Sequence, residues 1–304
     1  MNRPANPVPE ELDLPTEILA TIINELASDT AQDNDKTLVA LAACRLASRT
    51  LCSLATPPFF SSIRLTDRSL SNRAKNLDQM LGNDGIANSV KTLRLHCYKD
   101  DSRENRMRIS KILRRLPHIQ TFALKAFHSA SAMGIIRFHQ MAKEFRSAIQ
   151  ALCKSPNLTT LTLHYLYGFP ITVIAACPNL RHLRLRNAEP DVNLFFSCTF
   201  TTTNATFQFD DADSTDETLR LQPRHLDSLE IDPITLSPLW PHNYRSFANI
   251  FCTRLRNLQI KNLFYNDAVM NCGWNIILSA SQTLTALDLA VVQSRFRLDF
   301  ALWL

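Results

Sequence analysis

One spacing of apolar residues, L-x-x-L-x-L, recurs through most of the chain, with isoleucine, valine or phenylalanine in place of some leucines. Its seven copies begin at Val90, Ile119, Leu158, Leu180, Leu226, Leu255 and Leu284. Successive starts are 29, 39, 22, 46, 29 and 29 residues apart, and the longest interval has room for a degenerate copy, Asn204-x-x-Phe207-x-Phe209. Because alternate residues of a strand point to one side, positions 4 and 6 predict one leucine-lined strand per copy.

Between these copies lie stretches with helical spacing of apolar residues, as at 106–116, 133–153 and 246–252. Pro-Asn-Leu recurs before two of the strands, at 156–158 and 178–180, where it marks a helix-to-strand corner. A strand followed by a helix, repeated, closes right-handed β-α units that stack their strands in parallel. The period resembles that of leucine-rich repeats, so we expect residues 63–304 to form an irregular α/β solenoid whose curved parallel sheet is backed by helices.

The copies depart from the usual leucine-rich repeat at one position. The asparagine expected three residues after the last leucine is replaced by Tyr98, Phe127, Leu166, Ala188, Ile234, Leu263 and Val292. We therefore expect no asparagine ladder, and the longer, irregular, helix-backed style of repeat. No polar end-cap follows the last copy, so we expect the array to end exposed or to be truncated.

The N-terminal segment has a different pattern. Residues 1–11 carry three prolines and two adjacent glutamates, which predicts a flexible tail. A short helix is then expected over 12–26, with one apolar stripe, followed by a polar loop over 27–36 and a second helix over 37–54 that Pro57-Pro58 ends. Two short helices with so many apolar positions cannot cover each other completely, so part of the stripe needs a partner.

This segment resembles the F-box, particularly its fungal variants, through Leu14-Pro15-x-Glu17-Ile18-Leu19-x-x-Ile22-Ile23-x-x-Leu26, Leu41-Ala42-Ala43-Cys44-Arg45-Leu46-Ala47-Ser48-Arg49 and Pro57-Pro58-Phe59-Phe60. The resemblance covers residues 12–62 and implies an F-box helical domain that docks on the Skp adaptor of SCF-type cullin ligases. The adaptor-facing residues that it implies are Leu14, Pro15, Ile18, Leu19 and Ile22. The alternative is that these helices only cap the core of the following domain.

A second binding surface is expected on the face of the sheet opposite the leucines, where positions 3, 5 and 7 of each copy project. In the first half these positions include Arg94, His96, Lys125, His164, His182, Arg184 and Arg186. In the second half they include Glu230, Asp232, Lys261 and Asp288. The expected face is basic at one end and mixed to acidic at the other, which suits an elongated target with an acidic or phosphorylated segment. The alternative is a solvated face with accidental charge.

Composition argues against several other functions. The net charge of +5 is modest and no long lysine tract concentrates it, so nucleic acid and anionic membrane are not expected partners. Five glycines stand where about 7%, or roughly twenty, is usual, and no phosphate-cradling G-x-x-x-x-G-K or G-x-G-x-x-G occurs. Neither G-x-S-x-G nor H-E-x-x-H occurs. We therefore expect neither an enzyme nor a cofactor.

The cysteines indicate the compartment. They are spread without a C-x-x-C pair, at Cys44, Cys52, Cys97, Cys153, Cys177, Cys198, Cys252 and Cys272. This pattern favours small buried hydrophobes over a metal site or a disulfide framework. The first eleven residues lack the apolar stretch of a secretory signal, and no run of about 18 apolar residues follows. A reducing compartment, cytosol or nucleus, is therefore expected.

Two charged stretches need a separate interpretation. The acidic stretch 210–217 lacks the glycine and the final glutamate of an EF-hand, so a polar loop with a Ser214-x-x-Glu217 capping box is favoured over a calcium site. The basic residues between 103 and 115 are interpreted as a solvated helix face in preference to a nuclear-import or anion patch. Together, these patterns predict a substrate receptor of an SCF-type ubiquitin ligase, or alternatively a repeat-based interaction scaffold without ligase association.

Overall fold

The computed structural model describes residues 14–28, 35–65, 70–82, 84–98, 102–127, 136–191, 206–207, 219–220, 226–232, 244–263 and 267–291. The chain divides into two compact units, Met1–Ser62 and Ile63–Leu304. Within the described ranges no helix is both long enough and apolar enough to cross a membrane.

The first unit consists of three helices, α1 (Thr16–Ser28), α2 (Asp35–Ala47) and α3 (Arg49–Phe60). Its small core is formed by Ile23, Leu41 and Ala55, one buried residue from each helix. Five half-buried side chains pack around them, namely Leu26, Cys44, Leu51, Leu54 and Phe59. Pro15 stands just before α1, where its carbonyl accepts the first amides of the helix.

The predicted second helix over 37–54 is in fact two helices. Ser48 separates them with extended backbone, φ −155° and ψ 165°, and its hydroxyl accepts a hydrogen bond from the amide of Leu51. Serine is a favoured N-cap because its side-chain oxygen satisfies an amide that has no partner in the first turn. The break therefore follows from a local cap that apolar spacing did not reveal.

The prediction that Pro57-Pro58 ends this helix is also wrong, because α3 continues through both prolines to Phe60. The guanidinium of Arg45 lies 4.7 Å and 4.8 Å from the ring centroids of Phe59 and Phe60, so side-chain packing holds the last turn. Ser61 closes the helix by donating its amide and its hydroxyl to the carbonyl of Pro58.

The second unit alternates strands and helices. Its strands are β1 (Ser62–Leu65), β2 (Thr92–Tyr98), β3 (Thr121–Phe127), β4 (Ile136–Arg137), β5 (Thr160–His164), β6 (Leu166–Pro170), β7 (His182–Arg186), β8 (Glu189–Asp191), β9 (Thr206–Phe207), β10 (Leu219–Arg220), β11 (Ser228–Ile231), β12 (Asn257–Leu263) and β13 (Ala286–Val291). Its helices are α4 (Leu70–Met80), α5 (Asp84–Ser89), α6 (Arg103–Arg114), α7 (Lys143–Cys153), α8 (Ile171–Ala175), α9 (Tyr244–Phe251) and α10 (Asp267–Ala280).

Eight of these strands form one sheet in the order β1-β2-β3-β5-β7-β11-β12-β13. All pairs from β2 to β13 are parallel. The seven recurring motifs supply seven neighbouring strands, and their fourth positions pair across the sheet in a single row, Leu93, Phe122, Leu161, Leu183, Leu229, Leu258 and Leu287. The predicted parallel sheet backed by helices is therefore confirmed.

The degenerate copy suggested for the 46-residue interval is not a strand of this sheet. Phe207 lies in β9, which pairs antiparallel with β10 in a separate two-stranded sheet. Strand β7 pairs directly with β11, so the interval separates two neighbouring strands. Asn204 and Phe209, the other two residues of that motif, lie outside the described residues.

The helices between strands follow the predicted spacing, with shifted bounds. Helix α6 begins at Arg103, ahead of the predicted start, because the hydroxyl of Ser102 accepts a hydrogen bond from the amide of Asn105. The predicted helix over 133–153 is wrong in its first part, where Ile136–Arg137 is a strand that pairs with β6 and Phe138–Gln140 is a 3-10 turn. Helix α7 then buries one stripe, Phe145, Ala148, Ile149, Leu152 and Cys153, in the same core as the sheet leucines.

A three-stranded parallel sheet, β4-β6-β8, was not predicted. It arises because the chain turns sharply after β5 and β7, at Tyr165 (φ 54°) and Asn187 (φ 46°). These two residues occupy the same place in consecutive copies, two residues after the last leucine of the motif. The residues that follow, Leu166 and Ala188, are buried, which explains why apolar side chains stand where leucine-rich repeats usually place asparagine.

Candidate functional site

The candidate site is the face of the large sheet opposite the leucines. The seven predicted target-binding residues lie on the neighbouring strands β2, β3, β5 and β7, as Arg94, His96, Lys125, His164, His182, Arg184 and Arg186. Strand pairing places four of them in one row across these strands, in the order His96, Lys125, His164 and Arg186. The fold therefore brings together side chains that the sequence separates by up to 92 residues.

Glu230 is the centre of an ion-pair cluster on this face. Its side chain lies 2.8 Å from Nζ of Lys261, 2.5 Å from Nε of Arg186 and 3.5 Å from Nε of Arg184. Only 4% of the residue is exposed. Burial acts to raise the pKa of Glu230, but hydrogen bonds from Arg186 and Lys261 outweigh it and hold the pKa below its ordinary value. The carboxylate is therefore held in its charged form.

The cluster was not predicted from the sequence. Arg184 and Glu230 are 46 residues apart along the chain, and the expected division into a basic end and an acidic end treated them as distant. Because β7 pairs directly with β11, Arg184 and Glu230 occupy paired positions on adjacent strands. The two arginines on β7 are thus partly neutralised from within the protein.

His164, in the row between Lys125 and Arg186, has a lowered pKa. Its pKa is lowered to about 4, first by burial and then by the positive charges of Arg186 and Lys125, while Glu230 acts in the opposite direction. Its ring is therefore neutral near pH 7, in a net positive environment. Among the described residues its Nε2 atom is buried and has no hydrogen-bond partner, an arrangement that usually costs about 1–3 kcal/mol.

Tyr165 lies directly beside this row. Left-handed backbone costs a residue with a Cβ atom about 1–2 kcal/mol, and glycine or asparagine is the usual occupant. The ring does not recover this cost by burial, since Tyr165 is 45% exposed. Its ring centroid lies 5.8 Å from Nζ of Lys125, a contact worth about 0.5–1 kcal/mol at exposed sites. Asn187, at the equivalent place, is the usual kind of residue for this backbone, and its backbone N–H donates a hydrogen bond to the carboxylate of Asp232.

The arrangement is suited to binding anions. It offers cationic and aromatic side chains on a rigid sheet, and such groups recognise carboxylates and phosphoryl groups. Within the described ranges, no three His, Cys, Asp or Glu side chains gather as metal ligands would. The acidic stretch 210–217, with its capping box or calcium alternatives, lies outside the described residues.

The predicted adaptor-binding residues lie at the start of the first unit. Leu14, just before α1, and Ile18 and Ile22 on α1 are 48%, 47% and 52% exposed, which is unusual for large aliphatic side chains spaced four residues apart. Pro15 is also exposed, whereas Leu19 is half-buried. The exposed row and the buried Ile23 lie on different sides of α1, so the helix stripe is divided between an internal core and a free surface.

Three of the basic residues between 103 and 115, namely Arg108, Lys111 and Arg115, form ion pairs. Arg108 lies 2.8 Å from Glu104 one turn earlier on α6, and Asp78 of α4 accepts from both Lys111 (3.0 Å) and Arg115 (3.1 Å). These pairs fit the predicted solvated helix face.

Three buried thiols of the second unit, Cys153, Cys252 and Cys272, have raised pKa values. Cys97, Cys153, Cys177, Cys252 and Cys272 are buried and Cys44 and Cys52 of the first unit are half-buried, and none of these seven described cysteines forms a disulfide. Cys198 lies outside the described residues. A hydrogen bond with Cys177 and burial raise the pKa of Cys153 well above its ordinary value. Burial raises the pKa of Cys252 and that of Cys272 to about 12. Such thiols stay protonated and act as small apolar groups.

Comparison with known protein families and with curated proteins finds no match to this chain.

Proposed function

We propose that this chain is the substrate-recognition adaptor of an SCF-type ubiquitin ligase. In this proposal the first unit is an F-box that docks on a Skp-type adaptor, and through it on a cullin ligase core. The second unit is an irregular leucine-rich-repeat solenoid that binds a target protein. The chain itself supplies position, since holding a target near a catalytic subunit raises its effective concentration, and it needs neither a catalytic group nor a cofactor.

The observation that carries the proposal is an exposed aliphatic row, formed by Leu14 just before α1 and by Ile18 and Ile22 on α1. A three-helix unit of about fifty residues has too little core to leave such side chains in water without a purpose. The row begins at the Leu-Pro turn, the element by which this segment resembles the F-box. Leu19 is expected to contribute less, because it is half-buried against the unit itself.

Target binding is supported by the sheet of the second unit. Seven strands present side chains at the same motif positions on one face, which makes an extended and regular surface. Arg184, Arg186 and Lys261 keep 53%, 37% and 33% of their side chains exposed although each pairs with Glu230. These cations can still contact a partner from the solvent side, while their ion pairs with Glu230 hold the side chains in position.

The test is co-purification of the complete chain with a Skp-type adaptor. The double change Leu14→Asp/Ile18→Asp should lower adaptor recovery at least tenfold, because two carboxylates would have to be buried in an apolar interface. Leu46→Asp is the matched control, since Leu46 is 89% exposed on α2 and is not one of the predicted adaptor-binding residues. Circular dichroism should show equal helix content in all three proteins.

Equal adaptor recovery from the wild type and the double variant would overturn the ligase proposal. The alternative would then hold, a leucine-rich-repeat interaction scaffold without ligase association. That alternative draws on one observation, namely that the charged face lies wholly within the second unit and does not need α1.

A further inference from the structure

We propose that helix α10 is a contact surface for a second copy of this chain, and that the two copies meet antiparallel about a two-fold axis beside Trp274. The surface is the outer row of α10, formed by Met270, Trp274 and Leu278. This inference concerns the second unit alone and does not depend on the proposed ligase role. It adds a partner, the residues that contact it and the symmetry of the contact.

The outer row of α10 is apolar and exposed. Met270, Trp274 and Leu278 are 40%, 59% and 52% exposed, and they follow one another at intervals of four residues, so they form one stripe along the helix. Another side of the helix is covered, because Cys272 and Ile276 are buried in the core of the unit. Exposed apolar stripes of this kind mark contact surfaces.

The outer faces of other helices in the second unit carry charges, whereas the outer face of α10 does not. Arg114 of α6 and Lys143 of α7 are exposed. The sequence has no charged residue from 268 to 287, and the exposed positions beside the outer row of α10 are Asn271 and Ser279. Charge is depleted at the cores of protein interfaces, where aromatic residues and methionine are enriched. The outer row is therefore suited to an uncharged, apolar partner.

The outer row has similar residues on both sides of Trp274, and this feature favours a second copy over another partner. Met270 and Leu278 lie about 6 Å before and after Trp274 along the helix axis. When two such helices cross antiparallel beside Trp274, Met270 of each copy faces the partner's Leu278. No like charges meet, because the row has none. The surface is thus complementary to itself, as an interface between identical copies about a two-fold axis requires.

The size of the row indicates a weak dimer. Three exposed side chains per copy bury less than the roughly 1,200 Å² of the smaller stable interfaces, so we expect a dissociation constant on the order of 10 µM. A tryptophan at the centre should supply most of the binding, because central aromatic residues dominate many interfaces. Substitution of Trp274 should therefore have a larger effect than substitution of its neighbours in the row.

Sedimentation velocity of the complete chain, over a range of concentrations, tests the contact. The wild type should change from monomer to dimer near about 10 µM. Trp274→Glu should weaken dimerisation at least about tenfold, because it places two carboxylates next to each other at the axis. Met107→Glu is the matched control and should leave the dimer unchanged, since Met107 is 50% exposed on α6 and lies outside the row.

Three results would overturn the inference. The first is a wild type that stays monomeric well above the expected dissociation constant. The second is a species that keeps growing beyond the dimer, which indicates head-to-tail stacking of chains in place of a two-fold contact. The third is an equal loss of dimer in Trp274→Glu and Met107→Glu.

A mixture of oppositely charged variants tests the two-fold axis. Trp274→Lys alone should be monomeric, as Trp274→Glu is, whereas an equal mixture of the two variants should dimerise, because opposite charges then meet at the axis. Recovery of the dimer would also show that both variants are folded. A mixture that stays monomeric contradicts the placement of the axis beside Trp274.

Adaptor co-purification separates this inference from the ligase proposal. Leu14→Asp/Ile18→Asp should still dimerise, because these residues belong to the first unit, and Trp274→Glu should still recover the adaptor. A wild type that dimerises without recovering adaptor would defeat the ligase role and support the contact. A wild type that recovers adaptor and stays monomeric would do the reverse.

Discussion

Leu183 and Leu287 occupy the same position of the same motif, on strands of the same sheet, but their surroundings differ. Leu183 on β7 has no exposed surface, whereas 44% of Leu287 on β13 is exposed. The next leucines along these strands, Leu185 and Leu289, differ in the same way, at 1% and 43%. Strand β7 has neighbours on both sides, while β13 is the last strand in the sheet order. Burial is therefore supplied by the neighbouring units, and the motif alone does not determine it.

On the polar face, carboxylates on an inner strand and on the last strand differ in the same way as the leucines. Glu230 on β11 is 4% exposed and forms ion pairs with three cations. Asp288, at the same motif position on β13, is exposed and accepts a hydrogen bond from the side-chain amide of Gln259. An inner position can collect partners from two adjacent strands, while an end position has one. The interior of the array should thus tolerate substitutions less well than its last strand, on both faces.

The largest effect is expected from the inner leucine. Leu183→Ala should lower the free energy of unfolding by about 3–4 kcal/mol, because it removes buried methyl groups and leaves a cavity that the packed sheet cannot fill. Leu287→Ala should cost only about 1 kcal/mol, since much of that side chain is already in water. Chemical denaturation of both variants measures the difference, and equal losses would show that the last strand is as well covered as the inner ones.

The next effect is expected from the inner carboxylate. Glu230→Ala should cost about 3 kcal/mol, because it removes the shared partner of three cations that lie close together. Asp288→Ala should stay within about 0.5 kcal/mol as an exposed substitution. The measurement is again chemical denaturation at neutral pH. A gain in stability for Glu230→Ala would mean that the cluster contributes nothing net.

The pH dependence tests His164, an inner residue of the polar row. Its pKa is about 4 in the folded chain against an ordinary value of 6.5, so the unfolded chain binds more protons between these two values. Stability should therefore fall as the pH drops from 6.5 to 4, by about 2 kcal/mol from this group. Glu230, whose pKa is lowered, acts in the same direction at lower pH, because its stabilisation is lost as it protonates.

Substitution isolates the histidine contribution. His164→Gln should flatten the stability profile between pH 6.5 and 4, while His182→Gln on β7 serves as the control for loss of a histidine on the same face. Melting temperatures measured in steps of pH give both profiles. Parallel profiles for the wild type and His164→Gln would show that His164 titrates alike in the folded and unfolded chain.

The smallest effect is expected at the last strand. Leu289→Thr should change the free energy of unfolding by no more than about 0.5 kcal/mol, because threonine suits a strand and the leucine is 43% exposed. Leu185→Thr on β7 is the matched inner control and should be strongly destabilising, since it buries a hydroxyl without a partner. A large loss for Leu289→Thr would contradict the exposed end.

The strands of the sheet were predictable because the motif gives both the positions of the strands and the side of each strand that faces the core. Apolar residues at positions 4 and 6 lie on the same side of a strand, and all seven motifs occur on neighbouring strands. Helix ends were less predictable, because they depend on single caps. Ser48 breaks one predicted helix and Ser102 lengthens another, through one capping hydrogen bond each. The spacing of apolar residues does not indicate either cap.

The site was predictable as a face and not as a network. Motif positions assign Lys125, His164 and Arg186 to the polar side, which is where the structure has them. Their partners depend on which strands are adjacent, and the 46-residue interval before Glu230 concealed that β7 and β11 touch. Tyr165 was not predicted because its place beside this row depends on a left-handed backbone angle, although an aromatic residue two positions after the last leucine was visible in the sequence.

The last three copies begin 29 residues apart and pair residue for residue, Ser228 with Asn257 and Asn257 with Ala286. The pairing of β11 with β12 therefore has the same register as the pairing of β12 with β13. A duplicate of residues 255–283, spliced in after Thr283, would arrive with a matching strand, helix and connection. The sheet could therefore be lengthened by whole 29-residue repeats, and the length of a ligand that it can bind would increase with it.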